Sequence, residues 1–548
     1  MPERMLNREQ TFLLPPSVDE WTAATHPVRF VAALIESLSP ADWAAMGIAV
    51  TPDPVGAPRY APAVLTSIWV YGFMSGVRSA RGLERACQEQ IPVRWLTGNQ
   101  TPDHNTLWRF YQAHRDGMRM LLTRSIRVAV AAELIDLALV AVDGTKLRAH
   151  AATERSLTTA DLEKLLARTE RAIAALEAQN EGGEPTPPAL PEKLRQREAL
   201  RAQVQAALTQ DRIAHRGSGK ENLTDPEAKL MKGRQGITPA YNAQAAVAAT
   251  SARAQALLGT KAPAGRWVVG ARLTTHANDV QELVPVLTEV VAQLEQVPQL
   301  TVADAGYHSQ AALAAAAAAG HAVVVAEPTA RTAPDGPYDW PAFTRDAATD
   351  TLICPQGQVL SFRRIARETG RPDRRWYQGE PAVCRACPAF GTCTEDATHG
   401  RVVRVPVIAA PAAEPAPVRT AALRQRRALV EGVFGVVKTV LQGRGLLLRG
   451  VAGATAEWTL LATACNLRTL HRIWQALAPA DRARVLQGAG LSASCASTAH
   501  RSPARADDAG ARPATGRRRG GPRPVIATPR VHPFRPRCPL TAAGIALF

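Results

Sequence analysis

The chain has 548 residues, of which 46% are hydrophobic and 21% charged, and carries a formal net charge of +17. That length accommodates roughly three domains with a sizeable core, and the positive balance favours a polyanion, nucleic acid first, as partner. The opening M-P-E-R-M-L-N-R-E-Q lacks the apolar centre of a secretory signal and no run of about 18 apolar residues follows, which excludes a membrane anchor and leaves a cytoplasmic, nucleoid-associated protein as the expectation.

From Thr11 to about Ile135 the apolar spacing is helical. Val28, Phe30, Val31, Leu34, Ile35 and Leu38 share one face, and the stretch from Val64 to Tyr71 supplies another. Residues 1–136 are therefore expected to form an all-helical N-terminal, DNA-binding domain. Arg78, Arg81, Arg85, Trp108 and Arg109 fall on or beside its short helices, where they form either a DNA-gripping basic face or a solvated surface.

A strand pattern runs from Leu137 to Asp143, which stands in A-V-D-G-T-K. Leu162, Leu165, Leu166, Thr169 and Ile173 then recur at helical spacing. After E-G-G-E-P-T-P-P-A-L-P a second helical run extends from Lys193 to Leu208, so residues 159–212 read as an inserted helical hairpin. Strands are expected over Tyr241–Ala248, Arg266–Leu273, Leu300–Asp304 and His321–Ala326, with helices over Asn278–Leu294 and Ser309–Ala319. The alanine run from Ala311 reads as an ordinary buried helix. This succession predicts an α/β fold over 137–326, a mixed sheet with helices on its faces.

Asp143 and Asp304 each end a strand pattern, and Glu431, in V-E-G-V-F-G-V-V-K, sits in a helical one. Singly, each carboxylate also suits a turn or a wet helix face. Together they have the layout of a split metal site, in which two divalent ions about 3.5 to 4 Å apart activate a nucleophile and stabilise the leaving oxygen of a phosphodiester.

Four of the eight cysteines, Cys354, Cys384, Cys387 and Cys393, form C-x29-C-x2-C-x5-C. A structural zinc is expected there, with His399 as an alternative to Cys393 and reduced, unligated thiols as the other reading. Residues 327–419 thus read as a Cys-rich insertion ahead of 420–475, which carries Glu431. Beyond Gly488 the chain turns Ser-, Ala-, Pro-, Gly- and Arg-rich, with ten Arg and two Asp in its last 49 residues, so 489–548 is expected to be a disordered basic tail.

With these residues assembled, the stretch from about Leu6 to Arg472 resembles a DDE transposase of a bacterial insertion sequence, similar to the insertion-sequence-four superfamily type. The most specific element is R-x3-E-x6-K, matched by Arg427, Glu431 and Lys438. Further matches are L-L-P-P-S near the start, R-W-L-T-G from Arg94, and T-D-P-E-A-K-L-M-K-G-R-Q-G from Thr224, which precedes Y-N-A-Q-A-A-V. Where the family has a tyrosine three residues before the arginine, this chain has Arg424.

The resemblance implies an RNase H-like core with Asp143 on the first strand, Asp304 on the fourth, and Glu431 on a helix beyond the insertion. It implies these three as the catalytic, metal-binding residues, two Mg²⁺ or Mn²⁺ ions, and Lys146, Arg427 and Lys438 on DNA phosphates. It further implies binding of terminal inverted repeats by a homodimer or higher oligomer, cleavage, and strand transfer to target DNA, both substrates being double-stranded. Trp267 and Trp458 are read as platforms for a flipped base or as core. Two alternatives come from other classes: a catalytically inactive DNA-binding relic or repressor, and a non-transposing nuclease of the same fold.

Overall fold

A computed structural model describes residues 17–50, 59–181, 190–213, 220–233, 236–259, 265–326, 336–366, 374–406 and 416–488. The tail expected over 489–548 lies outside the described residues, as does most of L-L-P-P-S. No helix among the described residues is long and apolar enough to cross a membrane.

Local chemistry starts the N-terminal helices. Asp103 accepts from the N–H groups of Asn105 and Thr106 ahead of His104–Met118, and Ser39 and Asp42 form a reciprocal capping box on Pro40–Ala45. The Pro27–Glu36 helix buries Val28, Phe30, Val31, Leu34 and Ile35, the face its spacing predicts. Pro27–Glu36 and His104–Met118 pack on Gly450–Ala476, which is buried almost all round, as befits a helix in the middle of a core, and which also lies against the sheet. A single apolar core consequently runs from Phe30 to Leu486, through helices and sheet alike.

The strands are β1 (Ile135–Arg148), β2 (Ser156–Thr158), β3 (Lys220–Asn222), β4 (Lys229–Gly233), β5 (Gly236–Thr250), β6 (Arg266–Thr274), β7 (Thr301–Ala303) and β8 (Val323–Val325). β2 and β3 pair with each other beside two long helices, Thr159–Glu181 and Leu190–Ile213, which pack on one another. The other six form one mixed sheet. β1 pairs antiparallel with β5 and parallel with β7, β7 continues parallel to β8, and β4 and β6 both join β5 antiparallel. β7 is wholly buried, as expected of a parallel strand covered on both faces.

A second sheet follows: β9 (Thr344–Asp346), β10 (Thr351–Ile353), β11 (Val359–Ala366), β12 (Arg374–Gly379) and β13 (Val402–Pro406), antiparallel in chain order around a small core of Phe343, Leu352, Leu360, Tyr377 and Val403. No strand is predicted here, because arginines interrupt the apolar alternation that announces one.

Two expectations need correction. The alanine helix, Gln310–Ala318, buries only Ala316; its alanines reflect helix propensity, and the rest of its surface is open or half-open. The helix predicted from Asn278 begins at Leu283. Residues 278–282 instead make a turn, in which buried Glu282 accepts from Arg272 Nε (2.9 Å) and contacts His276 Nδ1 (2.7 Å).

Candidate active site at two aspartates

Parallel register brings the first two acids together. Val140 pairs with Thr301 and Ala141 with Val302, so Asp143 and Asp304, each two residues beyond a paired position, leave adjacent strand ends side by side. Arg426 bridges them, its Nη1 lying 2.9 Å from Asp143 Oδ2 and 4.0 Å from Asp304 Oδ2. Each aspartate also accepts a nearby N–H: Gly144 to Asp143 (2.8 Å) and Gly306 to Asp304 (2.9 Å).

Arg426 comes from the Ala416–Thr439 helix. At i, i+4 spacing its inner face continues through Val430 and Phe434 to Lys438, with Val430 and Val437 fully buried. Lys438 Nζ donates to Thr145 Oγ1, on β1 just beyond Asp143. Glu431 occupies the outer flank of the same helix. It is 61% exposed and accepts from Arg427 Nε at 2.8 Å, one turn back. The structure therefore joins Asp143, Asp304 and Lys146 at one site and brings Lys438 to its edge, while Glu431 and Arg427 face solvent. Among the described residues no group of three or more His, Cys, Asp or Glu side chains, the four cysteines of the second sheet included, is arranged to hold a metal ion.

The electrostatics are those of a recessed carboxylate pair. Burial pushes the Asp143 carboxyl up to about 6, the charge of Asp304 adds to the rise, and Arg426 opposes it. Asp304 is raised by burial, against Arg426 and with a further push from Asp279. Burial lowers Lys146, while Asp279, Asp143 and Asp304 hold it up.

Asp279 is the acid that the sequence reading misses. Its Oδ1 accepts from Asn242 Nδ2 and Gln244 Nε2, both at 2.6 Å, and lies 3.9 Å from Lys146 Nζ; Tyr307 O–H donates to Gln244 Oε1 behind it. The glycines of D-G-T and D-A-G-Y leave room for this network. A Cβ on Gly144 would come within 2.6 Å of Asp279 Oδ1 and 2.5 Å of Gln244 Nε2, and one on Gly306 within 2.9 Å of Asp304 Oδ1. The available signal was Asn242 and Gln244, two amides on one face of an otherwise Ala- and Val-rich strand, both fully buried.

Other predicted residues divide by burial. Trp267 and Trp458 are core, both fully buried, with the Trp458 indole donating to Gln244 O (3.1 Å), so neither offers a free ring. Arg78 is no part of a surface grip: it is buried against Glu457 and donates to the carbonyl of Gly445 (3.0 Å), whereas Arg81, Arg85, Trp108 and Arg109 are exposed. The four cysteines line one cavity of the second sheet. Gln358 N–H donates to Cys354 Sγ (3.2 Å) and Arg401 N–H to Cys384 Sγ (3.5 Å), and a Cβ on Gly379 would meet Cys384 Sγ at 2.8 Å. His399 turns instead to Asp396, 3.1 Å away.

Two family models match the chain: a transposase domain, DUF772, over residues 16–113, and a transposase DDE domain over residues 353–471. The first covers most of the N-terminal helices. The second takes in most of the second sheet and the helix bearing Arg426, Arg427, Glu431 and Lys438, while Asp143 and Asp304 lie outside both. No curated protein and no solved structure matches the chain significantly. The protein is thus a transposase, with DNA as its implied partner. Both matches support a DDE transposase of an insertion sequence.

Proposed function

We propose that the protein binds the terminal inverted repeats of its element as a homodimer or higher oligomer and catalyses metal-dependent strand cleavage and strand transfer. The observation that carries this reading is the recessed pair Asp143 and Asp304 at adjacent strand ends, with cationic side chains gathered around it. The strand succession β6–β5–β1–β7–β8, first three antiparallel and then parallel, supports an RNase H-like core, and R-x3-E-x6-K supports the insertion-sequence-four subtype. The supporting layout is a helical DNA-binding domain over 1–136, a catalytic domain over 137–326 and 420–475 interrupted by the helical hairpin and the Cys-rich insertion, and the basic tail.

The donor set suits hard divalent ions, since a recessed carboxylate whose proton affinity is raised by burial and by a second carboxylate is relieved by a cation. Asp143 and Asp304, with Glu431 as third carboxylate, would hold Mg²⁺ or Mn²⁺. Such ions supply activation of a water or 3′-hydroxyl and charge stabilisation at the leaving oxygen. Lys438 and Lys146 stand where phosphates approach the pocket, and Arg427 extends that cationic edge outward. Asp279 acts as a positioning residue, tying Lys146 and two strand amides into one network. In the insertion, Cys354, Cys384, Cys387 and Cys393 would hold a structural Zn²⁺, a role supported by backbone N–H groups aimed at two of the sulfurs. A cytoplasmic, nucleoid-associated site of action follows from this activity.

One observation favours a second reading. The outward Glu431 suits a DNA-binding relic or repressor that has lost catalysis. Cleavage of DNA carrying the element's flanking ends, with Mg²⁺, separates the two. Wild type is expected to cut and Asp304→Asn to bind without cutting. Equal activity in both would sink the metal-site assignment, and binding without cleavage by wild type would support the relic.

A further inference from the structure

The second sheet handles its arginines in two ways. On the face shared with buried Tyr377, Arg345 and Arg375 both pair with Asp350, which also accepts from the Tyr377 hydroxyl (2.8 Å). On the opposite face, where Trp376 points because successive strand residues alternate, cross-strand register sets Arg364, Trp376 and Arg404 in one row across β11, β12 and β13. The two guanidiniums lie 4.3 and 4.2 Å from the indole centre. Arg374, two residues before Trp376 on that face, has an Nε without a hydrogen-bond partner, and Arg363 beside Arg364 is exposed. Among the described residues no carboxylate forms a salt bridge with Arg363, Arg364, Arg374 or Arg404.

A row of like charges on neighbouring strands opposes its own assembly. The indole compensates in part by receiving a guanidinium from the strand on each side. The remaining imbalance marks a surface matched to a polyanion, and the neutralised arginines of the other face are the internal contrast.

We propose that the Arg364–Trp376–Arg404 row is a second DNA-binding face, separate from the aspartate pocket, which holds the phosphates of duplex DNA without reading its sequence. The proposal rests on the transposase reading for DNA as partner. Planar guanidiniums suit phosphate oxygens. Because the Trp376 ring already carries two guanidiniums, base stacking is disfavoured and backbone contact remains.

The test is a salt titration of the full chain binding a short duplex of unrelated sequence, followed by fluorescence anisotropy. The double variant Arg364→Gln/Arg404→Gln should weaken binding and flatten the plot of log affinity against log salt by about two, close to one for each phosphate that is no longer neutralised. Arg345→Gln, on the balanced face, should leave the slope unchanged. The charge-conserving Arg364→Lys/Arg404→Lys variant should keep it near the wild-type value. An unchanged slope in the Gln variant overturns this face while leaving the transposase reading intact. So does an equal loss in the Lys variant, which would make the row structural, or tighter binding of single-stranded DNA through the same residues. If wild type binds no DNA at all, the transposase reading falls together with this face.

Discussion

The two sheets manage charge in opposite ways. The mixed sheet recesses two aspartates at neighbouring strand ends and surrounds them with Arg426, Lys146 and the Asp279 network, so that most charges are both paired and partly buried. The antiparallel sheet stacks arginines on a ring and, among the described residues, leaves that row without a salt bridge. Paired, desolvated charge suits a site that must hold a cation and a reacting phosphate in fixed geometry. Unpaired, exposed charge suits a surface that grips any duplex and releases it as salt rises.

The largest expected effect is at the recessed pair. Asp143→Asn or Asp304→Asn should lower cleavage of element ends by at least roughly a hundredfold, since changing even the outer partners of metal ligands costs about 10- to 100-fold. Duplex binding through the second sheet should persist; if both properties fell together, the contrast between the sheets would break. Arg78→Met should destabilise the fold by about 3–5 kcal/mol, because it leaves the carboxylate of Glu457 buried with only the N–H groups of Leu447 and Leu448, and thermal unfolding would measure it.

Asp279→Asn should retain the fold and lower cleavage by about 10- to 100-fold. A positioning role predicts that the loss appears in the pH–rate profile, because the charge that holds up Lys146 is gone. An unaltered profile would reduce Asp279 to packing. The smallest effect on stability is expected at an exposed ion pair. Breaking the exposed Arg427–Glu431 pair with Glu431→Gln should cost only about 0.3–0.5 kcal/mol, while cleavage should collapse if Glu431 completes the acid set.

Proton linkage sharpens the same contrast. In the metal-free protein the Asp143 carboxyl is raised to about 6, so the folded state holds its proton more tightly than the unfolded chain, near 3.9. Its stabilising contribution is full below the unfolded value and is lost as pH rises through about 6. Melting curves in chelator across that window should fall for wild type and flatten for Asp143→Asn. No comparable window is expected from the arginine face.

Much of this was legible in the residues. Periodicity located the N-terminal helices, the two long helices after β2 and most strands of the mixed sheet, and the D-G-T, D-A-G-Y and R-x3-E-x6-K motifs pointed to Asp143, Asp304, Arg427, Glu431 and Lys438, of which the structure gathers Asp143, Asp304 and Lys438 and leaves Arg427 and Glu431 facing solvent. The second sheet was not legible, since short strands rich in arginine lack the alternation that marks a strand. Arg78 could not be told from its exposed neighbours, because burial depends on what packs across from a helix and its partner lies 379 residues away.

The sequence by itself determined which residues are candidates for the chemistry, because carboxylates at strand ends and a helix with basic residues at set intervals are local features written at single positions. Only the tertiary structure decided who meets whom. Parallel register joined Asp143 to Asp304, helix rotation turned Arg426 inward and Glu431 outward, and the turn before Leu283 delivered Asp279, since such meetings depend on long-range packing and on the space left by glycines rather than on spacing along the chain.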